Sequence, residues 1–354
     1  MAALNPTFSL SVGTLSSTSQ SPVGSPRKLL VERDMQVAAD ACVLELAQHL
    51  DIKLDEEIAL EFGLGDELKK VFTGNVVELR PTLEGFRVRA LGKMNALLNL
   101  RASAVYENQT VGSIVRDLLD KAGLTAATID DGPTLPHFYV DQRLSGYAHA
   151  KDLADRLGYE LYTTREGKVM FHAHGAAASL DSMGGALGGA AAGVAGAVAA
   201  VAGGGEGRYQ YGGQLVRAGA RRRVPAWGKY EVSGESPMSA HGEKTSHFLT
   251  ASGDDYRGAA GDGKPVRVVL DPVARTKDLA DRFAAGRLAA SSRTAHMLDT
   301  TLLGRAGVEL GDTVSISDVP EKTVDGSGYV QAIRHRFSEE AGFLTDLRIV
   351  TEAA

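Results

Sequence analysis

Gly74-Asn75-Val76-Val77-Glu78-Leu79-Arg80 leads, after a short gap, into Gly85-Phe86 and an alternating run to Leu91. Far along the chain, Gly328-Tyr329-Val330-Gln331-Ala332-Ile333-Arg334 leads into Gly342-Phe343 and an alternating run to Val350. Gly, Val, an aliphatic residue and Arg stand at the same offsets in both copies. Each copy follows a strand-like stretch, Ile58, Leu60 and Phe62 in the first and Val314 and Ile316 in the second. In the run from Gly85, Phe86, Val88 and Ala90 share one face while Arg87 and Arg89 share the other. One face is core and the other is wet. A chain that builds one β-unit twice presents a symmetric surface rather than a single catalytic cleft. The repeat predicts that residues 58–91 and 314–350 adopt the same fold.

Strand signals surround the first copy at Leu29–Arg33, Ala41–Ala47, Glu57–Phe62, Val71–Leu79 and Gly85–Leu91, separated by turn residues. This spacing reads as a small antiparallel barrel or sandwich. Residues 1–28 are rich in Ser, Thr, Pro and Gly, with Phe8, Leu10 and Val12 alternating as one strand in an otherwise loose arm. The texture changes near residue 100. Thr110 caps a helix carrying Val111, Ile114, Val115, Leu118 and Leu119, closed by Gly123. A second helix runs from about Ser145 to Leu157 and stops at Gly158. A hairpin follows, with Tyr159, Leu161 and Thr163 alternating, a turn at Glu166-Gly167, and Val169 and Phe171 returning. This is a compact α+β unit inserted between the two β-copies. Residues 176–207 are Ala/Gly-rich and read as a flexible linker, since Gly disfavours helix by about 1 kcal/mol relative to Ala. Further strands are expected at Gln214–Arg217, Lys229–Ser233, Val266–Leu270, Ala295–Leu303, Thr313–Ser317, Tyr329–Phe337 and Phe343–Val350. A helix is expected at 276–291 and a long polar loop at 234–264.

At 354 residues the chain holds two or three domains, and its 44% apolar and 23% charged fractions are ordinary for a globular protein. A formal charge of -6 argues against a general nucleic-acid or anionic-membrane binder. The single cysteine, Cys42, excludes an intrachain disulfide and the common thiolate zinc patterns, and reads as a buried thiol. No secretory signal is visible, because Thr7 to Leu15 is interrupted by Ser, Gly and Thr. The longest uncharged stretch, Met183 to Gly205, is too poor in large apolar residues for a membrane span.

The residues that could carry chemistry do not converge. Gly258-Ala259-Ala260-Gly261-Asp262-Gly263-Lys264 resembles the opening of a phosphate loop, but Pro265 stands where Ser or Thr would hold Mg²⁺. A mobile loop is expected there. His172 and His174 lie two apart on a strand, so both could face one metal, with His137 and His149 in the same unit. No carboxylate stands at a diagnostic spacing, and exposed strand-end histidines are expected. Arg221-Arg222-Arg223 precede Pro225, Trp227 and Tyr230, an interleaving that can bind single-stranded nucleic acid; the other reading is a solvated or subunit-contacting loop. Asp130-Asp131 and Asp254-Asp255 are adjacent and diverge in regular structure. No catalytic constellation, cofactor site or metal site is expected, and the chain reads as a non-enzyme.

The order of segments resembles the phage late-control D proteins, the baseplate hub proteins of contractile tails, and the N-terminal part of the VgrG spike proteins. The resemblance is carried by Val71-Phe72-Thr73-Gly74-Asn75-Val76, Tyr106-Glu107-Asn108-Gln109-Thr110-Val111 and Leu153-Ala154-Asp155-Arg156-Leu157-Gly158, with a hairpin ending Val169-Met170-Phe171. Leu310-Gly311-Asp312-Thr313-Val314, Gly328-Tyr329-Val330 and Ile333-Arg334-His335 complete it. It covers roughly residues 27–175 and 209–350, and the Ala/Gly tract departs from it. It implies a mainly β chain with an α+β insertion and two tube-like antiparallel β-barrel domains related by the pseudo-repeat. The first would be 1–100 with its N-terminal arm, the insertion 101–175, the linker 176–208, and the second 209–354. It further implies a homotrimer, a symmetry adapter between a hexameric inner tube and a trimeric spike, with other baseplate proteins as partners. Because the sequence stops at Ala354, directly after the second copy, a separate spike protein is expected. Assembly in the bacterial cytoplasm follows, without specific nucleic acid or membrane insertion. The alternative is a nucleic-acid-binding β-barrel protein using Arg221–Arg223 and Trp227.

Overall fold

The computed structural model describes residues 6–64, 67–174, 207–234, 256–338 and 340–351. The Ala/Gly tract and Asp254-Asp255 lie outside the described residues. The chain opens with β1 (Pro6–Val12), β2 (Leu15–Thr18), β3 (Pro26–Asp34), β4 (Ala41–Leu46), β5 (Glu57–Leu64), β6 (Glu67–Thr82) and β7 (Gly85–Gly92). The arm strand β1 buries Phe8, Leu10 and Val12, as their alternation predicts. The insertion follows as α1 (Asn95–Asn99), β8 (Ala104–Thr110), α2 (Val111–Lys121), β9 (Ala126–Ile129), β10 (Thr134–Val140), α3 (Gly146–Leu157), β11 (Tyr159–Thr163) and β12 (Val169–Ala173). Then come β13 (Arg208–Gln210), β14 (Leu215–Arg222), β15 (Lys229–Gly234), β16 (Arg257–Ala260), β17 (Val266–Asp271) and α4 (Lys277–Arg293). The chain closes with β18 (His296–Leu303), β19 (Thr313–Ser317), β20 (Gly326–Ser338) and β21 (Gly342–Val350).

The repeat extends further than its sequence signature. Ile58 pairs with Gly74 between β5 and β6, and Val314 pairs with Gly328 between β19 and β20. The β6–β7 ladder slips by one residue between Val76 and Glu78, and the β20–β21 ladder slips between Val330 and Ala332, at the same offsets from the two glycines. Strand β4 then lies on β7 as β18 lies on β21. Strand β3 lies on β4 as β14 lies on β18, and these outer ladders slip at matching places, between Pro26 and Lys28 and between Leu215 and Arg217. A β-bulge bends a strand and re-aims its side chains, so shared bulges mean shared curvature. Five strands are therefore built twice, in one topology and one register.

The two copies share one sheet. Ala332–Ser338 of β20 pairs antiparallel with Lys28–Asp34 of β3, giving a thirteen-stranded sheet that curls into a half-barrel. The tube-like units therefore meet through a backbone ladder, not merely side by side. Their cores lie against one face of this sheet. The first gathers Leu10, Leu29, Val31, Leu44, Ile58 and Phe62, and the second gathers Leu302, Val314, Ile316, Val330, Ile333 and Ile349. Cys42 is fully buried in the first core, and burial pushes its thiol pKa up.

The insertion forms as its caps dictate. Thr110 accepts a hydrogen bond from Ser113 N, and Ser145 accepts one from Ala148 N. Gly158 ends α3 in the left-handed conformation. The Tyr106–Thr110 stretch is part of strand β8, and the helix begins after its Thr110 cap. Helix α4 and the small sheet β16-β15-β17 pack into the core of the insertion, where Phe283, Leu279, Tyr230 and Val232 meet Leu118, Leu153 and Phe171. The expected loop at 234–264 is interrupted by β16, and residues 235–255 lie outside the described residues.

The repeat glycines explain themselves. A Cβ at Gly74 would stand 2.2 Å from Leu91 O, and one at Gly328 would stand 2.2 Å from Val350 O. Gly74→Ala and Gly328→Ala should each destabilise the chain, by roughly 1–3 kcal/mol or more, because the clash is with a backbone oxygen in a paired strand. Urea titration of the two variants checks this; a silent substitution at either position would remove the structural reason for the shared glycine.

Candidate functional surface

The face of the large sheet that points away from the cores carries charge on most of its strands. Cross-strand ion pairs lace it: Arg334 to Glu32 at 2.5 Å, Arg336 to Asp346 at 2.9 Å, and Arg348 to both Asp34 and Asp299 at 3.4 Å. These pairs are partly exposed, so each contributes at most about 1 kcal/mol. Two of them, Arg334–Glu32 and Arg348–Asp34, join the two repeats across the β20–β3 boundary. Glu32, Ala41, Val43, Glu78, Arg87 and Arg89 line a shallow trough on this face. Alternation along the strands dictates the arrangement, since each apolar core residue is followed by a residue facing water.

Beneath the sheet lies a buried ionic joint. Arg33, 2% exposed, donates to Asp40 at 3.2 Å, to Thr163 O at 2.6 Å and to Glu309. Glu309 also accepts from Arg165, whose guanidinium reaches Gly307 O at 3.0 Å. The Thr163 hydroxyl donates to Asp40 at 2.9 Å. The joint thus binds β3 of the first repeat, β11 of the insertion and the approach to β19 of the second. A second cluster sits nearby: Glu160 accepts from the Tyr329 hydroxyl and from Arg293 at 3.2 Å, and lies 2.9 Å from His174 Nδ1. A third joins Arg156 and Arg287 to Asp271, at 2.8 and 2.9 Å, tying α3 and α4 to β17.

The two carboxyls of the joint shift in opposite directions: burial outweighs Arg33 and raises the Asp40 pKa, whereas that of Glu309 is lowered. Burial alone would raise the Glu309 pKa, but Arg33 and Arg165 outweigh it and hold the carboxyl below its ordinary 4.5. Its stabilising contribution is present above about pH 4.5 and is lost as pH falls through the lower folded value. His335 in β20 is buried against the first core, beside Phe62 and Phe343, with Nδ1 3.1 Å from Thr345 Oγ1. Burial, then the charges of Arg33 and Arg165, push its pKa down from 6.5 to about 3.

The structure disperses the residues singled out in the sequence. His172 is 1% exposed and lies 3.1 Å from the Tyr162 hydroxyl through Nε2, so it is a core residue rather than an exposed strand end. His174 turns to Glu160 and Tyr329 instead. Among the described residues, no three His, Cys, Asp or Glu side chains gather as a metal site. His149 is buried and bonds the backbone at Asp141, while His137 lies on β10. Arg221 and Arg222 belong to strand β14, not to a loop, whereas Trp227 packs beside the insertion core under Arg267 at 5.3 Å. The basic run and the aromatic therefore make no common stacking surface. Gly258 lies in β16 rather than in a mobile loop; a Cβ there would be 2.2 Å from Ala280 C of α4, so it is glycine for close packing. Asp130 accepts from Ala173 N and Asp131 pairs with Arg116, so the two diverge as expected. No described helix is long and apolar enough to cross a membrane.

No protein-family model matches the chain, and no curated protein matches it in sequence. Solved structures do match. The 43 kDa tail protein of prophage MuSo2 from Shewanella oneidensis is 15% identical, with a TM-score of 0.68 over 98% of both chains. The tail protein of Neisseria meningitidis MC58 is 14% identical, with a TM-score of 0.67 over 98% of this chain and 97% of that one. The fold is that of prophage tail proteins. The c3393 protein of E. coli, described as a component of the type VI secretion system with structural similarity to the T4 tail proteins gp27 and gp5, is 12% identical. Its TM-score is 0.54 over 97% of this chain and 77% of that one.

One outcome tests the joint and a second tests the buried His335. Arg33→Met should cost about 3–5 kcal/mol, because Asp40 loses its cation and Glu309 keeps only Arg165. Denaturant unfolding at pH 7 measures it, and a loss under 1 kcal/mol would count against the joint. Stability should also fall as pH drops from 6.5 toward 4.5, by up to about 1.4 kcal/mol per pH unit, because the unfolded chain protonates His335 first. His335→Asn, which keeps a donor toward Thr345, should flatten that slope in a melting-temperature series; an unchanged slope would refute it.

Proposed function

We propose that this chain is a structural hub of a contractile tail or related injection machine. It acts as a homotrimeric symmetry adapter that joins a hexameric inner tube to a trimeric spike. The observation that carries the reading is the doubled five-strand unit, joined into one sheet within a single chain. Three such chains offer six equivalent β-units to a sixfold partner while remaining threefold toward another. The fold shared with tail proteins, and with a component of a secretion machine, supports the same reading.

On this reading the chain works mechanically and without catalysis. The first tube unit spans 1–100 and the second 209–354, with the 101–175 unit broadening the hub toward spike and baseplate partners. Helix α4 and the sheet β16-β15-β17, although they lie within the 209–354 stretch, pack with the inserted unit and widen it. The trough of ion-paired strands faces the channel, and the ionic joint passes load from the sheet to the inserted unit. The particle assembles in the bacterial cytoplasm.

Native mass spectrometry of the chain, alone and mixed with the tube and spike proteins of the same particle, tests this. A trimer that captures both partners is expected. A chain that stays monomeric and captures neither would overturn the proposal.

A further inference from the structure

Each long repeat strand, β6 or β20, pairs on one side with the strand that follows it, β7 or β21, and differs from its counterpart on the other side. In β20, β21 takes one side; the other is shared by β19, over Gly326–Tyr329, and β3, over Ala332–Ser338. In β6, β7 takes one side, and β5 takes Glu67–Asn75 of the other. From Val77 to Pro81 that second side has no backbone partner among the described residues. The strand equivalent to β3 is β14. Its ladder to β18 occupies one side, and from Arg217 to Arg222 the other side is equally bare among the described residues. One repeat junction is thus made inside the chain, and the same two edges are left over at its ends.

The exposures agree. Ile333 of β20 is 2% exposed where β3 covers it, and its counterpart Leu79 of β6 is only half-buried. Val31 of β3 is fully buried, while its counterpart Ala220 of β14 is exposed. Long bare edges are usually blunted or covered, because they template pairing with another chain.

We propose that β6 of one copy pairs antiparallel with β14 of the next copy, in the register of the β20–β3 junction. Carrying that register over by the repeat offsets sets Glu78 opposite Arg223, Leu79 opposite Arg222, Arg80 opposite Arg221 and Pro81 opposite Ala220. Glu78 then stands opposite Arg223 and diagonal to Arg221, in reach of a cation to replace the loose 3.9 Å contact it now makes with Arg89. Glu84, in the turn after β6, follows at the level of Arg217. Arg80 against Arg221 is a like-charge pair and weakens the contact. Pro81 withholds at most one N–H from the ladder. The two edges differ, so the contact is head-to-tail and either closes a ring or propagates. This inference deepens the hub reading and rests on it only for closure at three copies.

The full chain carrying Arg80→Cys and Arg221→Cys tests it by oxidation and non-reducing electrophoresis, beside native mass measurement at high protein concentration with and without spike protein. Glu32→Cys with Arg334→Cys, the equivalent pair inside one chain, is the geometric control and should close without changing mass. Covalent multimers ending at three copies are expected, and neither single-cysteine variant should form them. A native trimer of the double variant that forms no disulfide between copies, while the control pair closes, would overturn the edge assignment and leave the hub reading standing. Multimers running beyond three would support the edges and overturn threefold closure. A monomer without cross-links would overturn both. As a second arm, Glu78→Arg should weaken association about tenfold and Arg223→Glu in the same chain should restore it; a neutral Glu78→Arg would overturn the proposed register.

Discussion

The ladder between Ala332–Ser338 of β20 and Lys28–Asp34 of β3 is the contact on which the rest of the architecture hangs. It joins residues separated by most of the chain, so it is closed late in entropic terms and depends on everything that shapes its two strands. Net contributions of single backbone hydrogen bonds are modest, roughly 1 kcal/mol each. The side chains below the ladder add the rest: Ile333 meets the second core, Val31 and Leu29 the first, and Phe337 stacks on Phe62. His335, neutral and buried, packs against the first core beside Phe62 and Phe343. A ladder of this kind fixes the angle between the repeats, because a one-residue slip would turn every core side chain outward.

The ionic joint does a different job. Arg33, Asp40, Glu309, Arg165 and Thr163 come from three parts of the chain and satisfy one another away from water. Buried ion pairs add little net stability compared with apolar packing, but breaking one is expensive, so they specify one arrangement against alternatives. Here the arrangement is that of the inserted unit against the sheet. The Glu160 cluster and the Arg156–Asp271–Arg287 cluster extend the same logic to α4, whose apolar face closes the core of the insertion.

Much of this is legible in the sequence, for identifiable reasons. The repeat shows because Gly74 and Gly328 each meet a backbone oxygen at the same place in the unit, and because period-two alternation is strong where one sheet face is buried. The helices at 111–121 and 146–157 show through their Thr110 and Ser145 caps. Strand β14 reads short and its arginines read as loop, because an uncovered edge strand has few apolar residues to betray it. His172 reads as exposed, since nothing local reveals that Tyr162 will meet it. The β20–β3 ladder is illegible because pairing partners so far apart leave no local pattern. The joint stays hidden for the same reason: Arg33 and Glu309 lie 276 residues apart and look like ordinary charges in sequence. The sharing of one core by α4 and the insertion likewise depends on contacts across the 176–208 tract.

On the proposed hub reading, the two halves of this chain are one structural unit used twice in one assembly. A cryo-electron-microscopy reconstruction of the assembled particle tests it most directly. The account predicts a ring in which the β3–β7 unit and the β14/β18–β21 unit alternate at equal radius, with the β20–β3 ladder intact and the ion-paired face toward the channel. Units at different radii, or a ladder opened in the assembly, would contradict it.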